Sequence, residues 1–178
     1  MNQSLRALTA NFPHSGTLQR IFLRSRKFGE INEVNETMVI EKRGLAGDHR
    51  SESATRSRKR EVSLIQAEHI PVIAALSGHD QVNPADLRRN LLISGLNLIA
   101  ARSLFKDQPM LLTIGESACF EITDDCAPCS RMEKLLGAGG YNAMRGHGGM
   151  LARVITGGTI RCGDSVRCIA ASEMPTAL

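Results

Sequence analysis

The chain has 178 residues and a formal net charge of +4, from 22 basic and 18 acidic side chains, with 42% hydrophobic residues. That is globular composition for one domain, long enough to bury a core without disulfide or metal staples, and it argues against disorder. Aromatic residues make up 3% of the chain, with no Trp, which argues against stacking platforms for single-stranded nucleic acid.

No apolar run approaches the roughly 18 residues of a membrane-spanning helix. The opening MNQSLRALTANF lacks the apolar stretch of a secretory signal. The expected compartment is therefore the cytoplasm, with no membrane partner, and the five cysteines are expected to be reduced.

Residues 1–16 read as an N-terminal extension, 17–170 as the domain and 171–178 as a frayed tail. Residues 17–24 (TLQRIFLR) and 33–40 (EVNETMVI) read as the first two strands, followed by a Gly-punctuated turn over 42–48. Residues 50–60 (RSESATRSRKR) carry one apolar side chain, Ala54, and read as a mobile, solvated loop. Residues 62–65 form a short buried strand. In 66–76, Ala67, Ile70, Ile73 and Ala74 fall at helical spacing, with Pro71 early enough to be borne in the first turns. Asn83-Pro84-Ala85-Asp86 has the cap and first-turn residues of a helix start, and 90–93 is a strand ended by Gly95.

Residues 111–114 and 118–123 form a hairpin around Gly115-Glu116-Ser117. Ala118, Phe120 and Ile122 share one face; Cys119, Glu121 and Thr123 share the other. A loop over 124–131 leads to a short helix near 132–136, then to residues 137–149 with six Gly. Residues 150–156 and 159–162 read as a hairpin with a Gly157-Gly158 turn, and 165–169 as the last strand. The expected fold is mainly β: a closed or partly closed β-barrel with a few short peripheral helices. The long amphipathic helices of a doubly wound fold are missing.

Three segments could carry chemistry. Cys126-Ala-Pro-Cys129 precedes a short helix, with Arg131 close by; such thiols can act as nucleophile, redox pair or soft-metal ligand. Asp124 and Asp125 oppose a thiolate there, and no second ligand pair supports zinc. Arg88, Arg89 and Asn90 precede a strand and suit a phosphate, although a solvated cationic turn has the same composition. Arg145-Gly-His147-Gly148-Gly149 can curl its backbone N–H groups around an anion, or simply be a flexible loop. Cys162 and Cys168 share strand parity with Ile160 and Val166, which points to buried, inert thiols.

The order of these blocks is more specific than any one of them. GLAGDH, REVSLIQAE, LRRNLLISG, CAPCSRME and the ending from RGHGG through ARVI to IRCGDSV together resemble a MOSC domain, the module named after the C-terminal part of molybdenum-cofactor sulfurases. The resemblance covers roughly residues 17–169. It implies a β-barrel, a cleft for a molybdopterin-type cofactor, and a pocket cysteine serving as sulfur carrier or metal ligand. Carried over by position, Cys129 is the family cysteine and the metal ligand, with Cys126 beside it. Arg88, Arg89 and Asn90 match the element that contacts the phosphate–pterin end, with Arg131, Arg145, His147 and Gly148 nearby in the motifs. Ser25 and Lys27 fall at an anion-binding turn, and Gln66 in the LIQ block. Amidoxime-reducing members can place the metal-binding cysteine where this chain has Met132. The resemblance implies sulfur carriage or molybdenum-dependent reduction of N-hydroxylated compounds, with a separate cysteine desulfurase or electron-transfer protein as partner. Pyridoxal phosphate is not expected. The competing readings are a thiol–disulfide redox protein using Cys126 and Cys129, which predicts a βαβ order, and a non-catalytic basic binding module.

Overall fold

Apolar alternation builds most of the molecule. A computed structural model describes residues 3–52 and 59–174. Strands β1 (Gly16–Arg24), β5 (Val62–Gln66), β6 (Leu91–Ser94), β7 (Met110–Ile114), β8 (Ala118–Asp125), β9 (Met150–Thr156) and β11 (Ser165–Ala170) pair in the circular order β11-β7-β8-β9-β5-β6-β1. Pairing of Gly16 with Val166 and Thr17 with Ser165 joins the ends, so the expected closed barrel is present. Closure removes the free sheet edges within the ring. Strand β2 (Ile31–Val34) pairs outside the ring on β1. Strands β3 (Glu36–Ile40), β4 (Gly44–Leu45) and β10 (Gly158–Arg161) form a separate small sheet.

Two readings of the sequence are corrected here. Residues 33–40 are not one strand: the chain changes sheets at Asn35, whose carbonyl accepts from the Cys162 N–H at 2.8 Å. Residues 150–162 are not a hairpin: β9 pairs with β5 and β8, whereas β10 pairs with β3. Gly157 makes the crossing possible, since a side chain there would lie 2.7 Å from the Val39 carbonyl oxygen. The 50–60 stretch also starts differently from its reading as loop. His49–Glu52 is a helical turn (α2) with Ser51 buried, while 53–58 lie outside the described residues, as do 1–2 and 175–178.

Three helices pack together on one side of the barrel. Strands β5 and β6 run parallel and are joined through α3 (His69–Ser77) and a 3-10 turn, Pro84–Leu87, capped by the Asn83 side chain. Parallel strands of this kind are buried on both faces. Leu64, Leu91 and Ile93 point into the barrel; Phe22, Ile65 and Leu92 point out into a second core. That second core also holds Ile73 and Leu87, together with Met132 and Leu136 from α4 (Ser130–Leu136) and Met144 from α5 (Gly140–Met144). Each such fully buried aliphatic side chain contributes about 1.5–3 kcal/mol of burial energy. It fixes the loops carrying Cys126 and Gly148 against the barrel. Helix α5 and helix α1 (Leu5–Ala10) were not expected from the sequence.

At the end of β1 the barrel contains a buried polar knot. The Arg24 guanidinium donates to Asp48 Oδ2 at 3.0 Å and to Asn90 Oδ1 at 3.0 Å. Asn90 Oδ1 also accepts from the Ser63 N–H and hydroxyl, and its Nδ2 donates to Asp48 Oδ2 at 2.9 Å and the Phe22 carbonyl at 3.1 Å. Strands β1, β5 and β6 and the 44–48 turn are thereby tied together. Burial alone would raise the Asp48 carboxyl, but the Arg24 charge and the hydrogen bonds from Arg24, Arg50 and Asn90 hold it below its ordinary value of 3.8. A carboxylate depressed on folding stabilises the protein above its unfolded pKa, and that stability is lost as pH falls through the folded value. Asp48→Asn leaves Arg24 buried without its counterion, which costs about 3–5 kcal/mol. Thermal melts of wild type and Asp48→Asn should therefore differ most near neutral pH. The gap should narrow below pH ~4 as the wild-type carboxylate itself becomes protonated. A gap independent of pH would show that Asp48 does not act through its charge.

Candidate functional site

The Cys126–Cys129 loop leaves the end of β8 and enters α4. Its start is pinned by the Cys126 N–H, which donates to the Gly149 carbonyl at 2.8 Å. A cleft of about 230 Å³ opens beside it, lined by Asp125, Cys126, Pro128, Gly148 and Met150 among others. Cys126 is half-buried in this cleft and Cys129 is exposed, and neither is in a disulfide.

Arg89 organises the cleft from behind. Its Nε donates to the Gly148 carbonyl at 2.7 Å, Nη1 to the Leu87 carbonyl at 2.7 Å and Nη2 to the Cys126 carbonyl at 3.2 Å. It is 8% exposed and has no carboxylate partner among the described residues. The glycine loop, the thiol loop and the end of the 3-10 turn therefore hang on one guanidinium. Gly148 is required for that approach, because a Cβ there would lie 2.5 Å from the Cys126 carbonyl oxygen.

Cations border the thiols. Arg131 and Lys27 both stack on the exposed Phe28 ring, at 4.7 and 5.3 Å from its centroid. Arg88 donates to the Gly29 and Lys27 carbonyls at 3.1 and 3.3 Å, holding the 25–30 turn. Burial, and then the charges of Arg131 and Arg24, lower the Arg88 pKa. Burial and Arg24 do the same for Arg50, which also lies within charge range of Cys126. Lys27, Arg50, Arg88, Arg89 and Arg131 form no ion pair with an acid among the described residues. Asp48, the acid in their midst, is consumed by Arg24 and Asn90.

The structure brings together part of the set expected from sequence. Cys126 and Gly148 line the cleft, Lys27, Arg88 and Arg131 gather at the 25–30 turn, and Cys129, exposed at the start of α4, is not among the residues lining the cleft. Ser25 is exposed on the same 25–30 turn, and Arg145 is exposed on the glycine loop. Other positions have different roles. Asn90 is 1% exposed with both side-chain polar atoms bonded within the protein, so it meets no ligand directly. Gln66 accepts from the Leu98 N–H at 3.1 Å and lines a different cleft, with His14 and Glu68. His147 turns its ring edge-on to His69, 5.1 Å between centroids, and the Nδ1 of each is buried without a hydrogen-bond partner. Met132 is buried in the second core.

Two cysteines depart from strand parity. Cys119 is buried because β8 shifts register between Cys119 and Phe120 and the Met174 sulfur covers it at 3.8 Å. Burial pushes its thiol up to about 11 and that of Cys168 up to about 12. Cys162 falls just after β10 and is only half-buried. Sequence reasoning missed Arg24, Asp48, Arg50 and Phe28. The Asp48-His49 end of the GLAGDH block was the available signal; Arg50 was masked by the basic run that follows it.

Arg89→Ala removes the donors of three carbonyls and should destabilise the fold as well as the site. Unsatisfied buried groups cost about 1–3 kcal/mol each, so a fall in melting temperature of roughly 5–15 °C is expected from calorimetry. An unchanged melt would mean the cross-link contributes no stability.

The fold and the motifs can now be set beside known proteins. The profile of the MOSC domain matches residues 47–167. No curated protein sequence matches the chain. Among solved structures, the YuaD protein of Bacillus subtilis superposes with a TM-score of 0.71 at 15% identity, covering 87% of this chain and 96% of that one. YiiM of Escherichia coli does so at 0.63 and 19% identity, covering 88% of this chain and 70% of that one. YiiM of Geobacillus stearothermophilus gives 0.64 and 15%, with coverage of 86% and 75%. At these identities the structures speak for the fold, and the profile, matching well over half the chain, speaks for the family: the chain belongs to the MOSC domain family.

Proposed function

We propose that the protein binds molybdenum cofactor and acts as a sulfur carrier or as a molybdenum-dependent reductase of N-hydroxylated compounds. The observation that carries this reading is the set of unneutralised cations bordering two reduced thiols. The donor set fits the group. A dithiolene-bound molybdenum takes a soft thiolate, and Cys129 is exposed, with no hydrogen bond to its thiol among the described residues. A phosphate takes charge-assisted donors, and Lys27 and Arg131, the latter two residues after Cys129, share the Phe28 ring without an ion pair among the described residues. When bound, the cofactor would supply a metal centre for sulfur or oxygen-atom chemistry. The chain's residues bind and orient it: Cys129 ligates, Arg131 and Lys27 hold the anionic end, and Arg88 and Arg89 keep the surrounding loops in place.

Cys126, which lines the cleft three residues before Cys129, is the second thiol. A separate cysteine desulfurase or electron-transfer protein is the partner this chemistry requires, and the cytoplasm is the compartment that keeps the thiols reduced. No helix among the described residues is long and apolar enough to cross a membrane. A thiol–disulfide oxidoreductase is the weaker reading, because the fold is a closed barrel whose parallel crossover, β5–α3–β6, does not carry Cys126 and Cys129.

Protein purified from a cofactor-competent host should carry molybdenum by elemental analysis. Cys129→Ser should lose it while melting as wild type. Lys27→Ala and Arg131→Ala should each weaken cofactor about tenfold, the order expected for losing one partly exposed charge-assisted contact. In the cofactor-free protein, mild alkylation with mass mapping should label Cys129 first, then Cys126, with Cys119 and Cys168 last. Full molybdenum content in Cys129→Ser, or labelling of Cys168 ahead of Cys129, would overturn the proposal.

A further inference from the structure

A second, larger cavity of about 550 Å³ lies between helix α1 and the 97–104 loop, within the size range of small-molecule sites. Its walls are mostly apolar, from Leu8, Phe12, Pro13, Ile99, Leu104 and Met110, with Asn11, Asn97 and Arg102 among the polar lining. Leu8, Ile99 and Leu104 are 51%, 49% and 65% exposed, so the groove presents aliphatic surface to water. It is a built feature. Helix α1 is held by Arg6, which donates to Asp107 at 3.0 Å and stacks on Phe105 at 4.4 Å. The loop is held by Gln66 on the Leu98 N–H, and by the Asn97 side chain on the Ile99 and Ala100 N–H groups.

Ile99 lines this groove and the Cys126 cleft alike. The groove and the cleft beside the thiol therefore adjoin at Ile99. Arg102, on the same groove, stands 3.7 and 3.9 Å from Asp124 and Asp125, which precede Cys126.

We infer that the groove is the substrate's tail site: the natural substrate is an elongated amphiphile with a small polar head in the Cys126 cleft and an apolar body lying over Ile99 and Leu104. This deepens the reductase reading and rests on it for the N-hydroxylated head. The groove's preference for an apolar body follows from its own walls. Burying a methylene in such a groove tightens binding up to about fourfold, less where the site is open to water.

The test is calorimetric titration of the full chain with straight-chain hydroxamic acids from acetohydroxamic to octanohydroxamic acid. Affinity should rise twofold to fourfold per methylene. Ile99→Asp or Leu104→Asp should flatten that dependence, and Leu76→Asp, an exposed change on α3, should leave it intact. Octanohydroxamic acid should slow iodoacetamide labelling of Cys126 several-fold where acetohydroxamic acid at the same concentration does not. Affinity independent of chain length, or a dependence untouched by both groove variants, overturns the inference. Molybdenum content of the same samples separates the two readings. A steep chain-length dependence in a protein that never acquires molybdenum upholds the groove and removes the cofactor. Molybdenum with a flat dependence does the reverse.

Discussion

Asn90 is the residue on which the rest of the structure depends. Its amide has donors and an acceptor, and each is used on a different part of the chain: Oδ1 toward Arg24 and Ser63, Nδ2 toward Asp48 and the Phe22 carbonyl. In a low-dielectric interior such a network is strong only when complete. Here it is complete, and it fixes the parallel pair β5–β6 against β1. Its neighbour in sequence reaches elsewhere. Asn90 ties the strands, and Arg89 ties the thiol and glycine loops through three backbone carbonyls. Two adjacent residues thus join scaffold and site.

The barrel was legible because alternation writes itself along each strand. Residues 17–24, 111–114, 118–123 and 165–169 show it, and the strands follow within a residue or two. The changes of sheet at Asn35 and Gly157 were not legible. No glycine or proline marks the first, the Gly157-Gly158 pair read only as a hairpin turn, and which partner a strand chooses is settled by tertiary pairing. Helix α5 was hidden by the glycines around it; Ala143 and Met144 are buried against the barrel, and packing overrides local propensity there. At the site, the residue types were legible and their partners were not. Arg89 and Asn90 offer the right donors for a phosphate and a pterin, but those donors serve equally well for backbone carbonyls. Only burial distinguishes the two uses.

The electrostatics of the site come from side chains rather than from helix ends. The sequence placed Cys129 at a helix start, where a dipole would favour a thiolate. Helix α4 has seven residues, too short for its terminus to act alone as an anion site. The field instead has its source in Lys27, Arg50, Arg88, Arg89 and Arg131, none of which forms an ion pair with an acid among the described residues, although Asp48 offsets Arg50 and Arg88 in part. The carboxylates that seemed to oppose a thiolate, Asp124 and Asp125, are themselves offset by Arg102. Like charges gathered this closely repel, and burial lowers the pKa of Arg88 and Arg50 further. An arrangement that strains its own cations is relieved by a bound anion. The hydrogen bonds explain how the protein tolerates it unbound: the most deeply buried carboxylate in the region is spent on Arg24, the buried Arg89 is satisfied by three backbone carbonyls, and the remaining cations are half-buried or exposed, where water screens them in part.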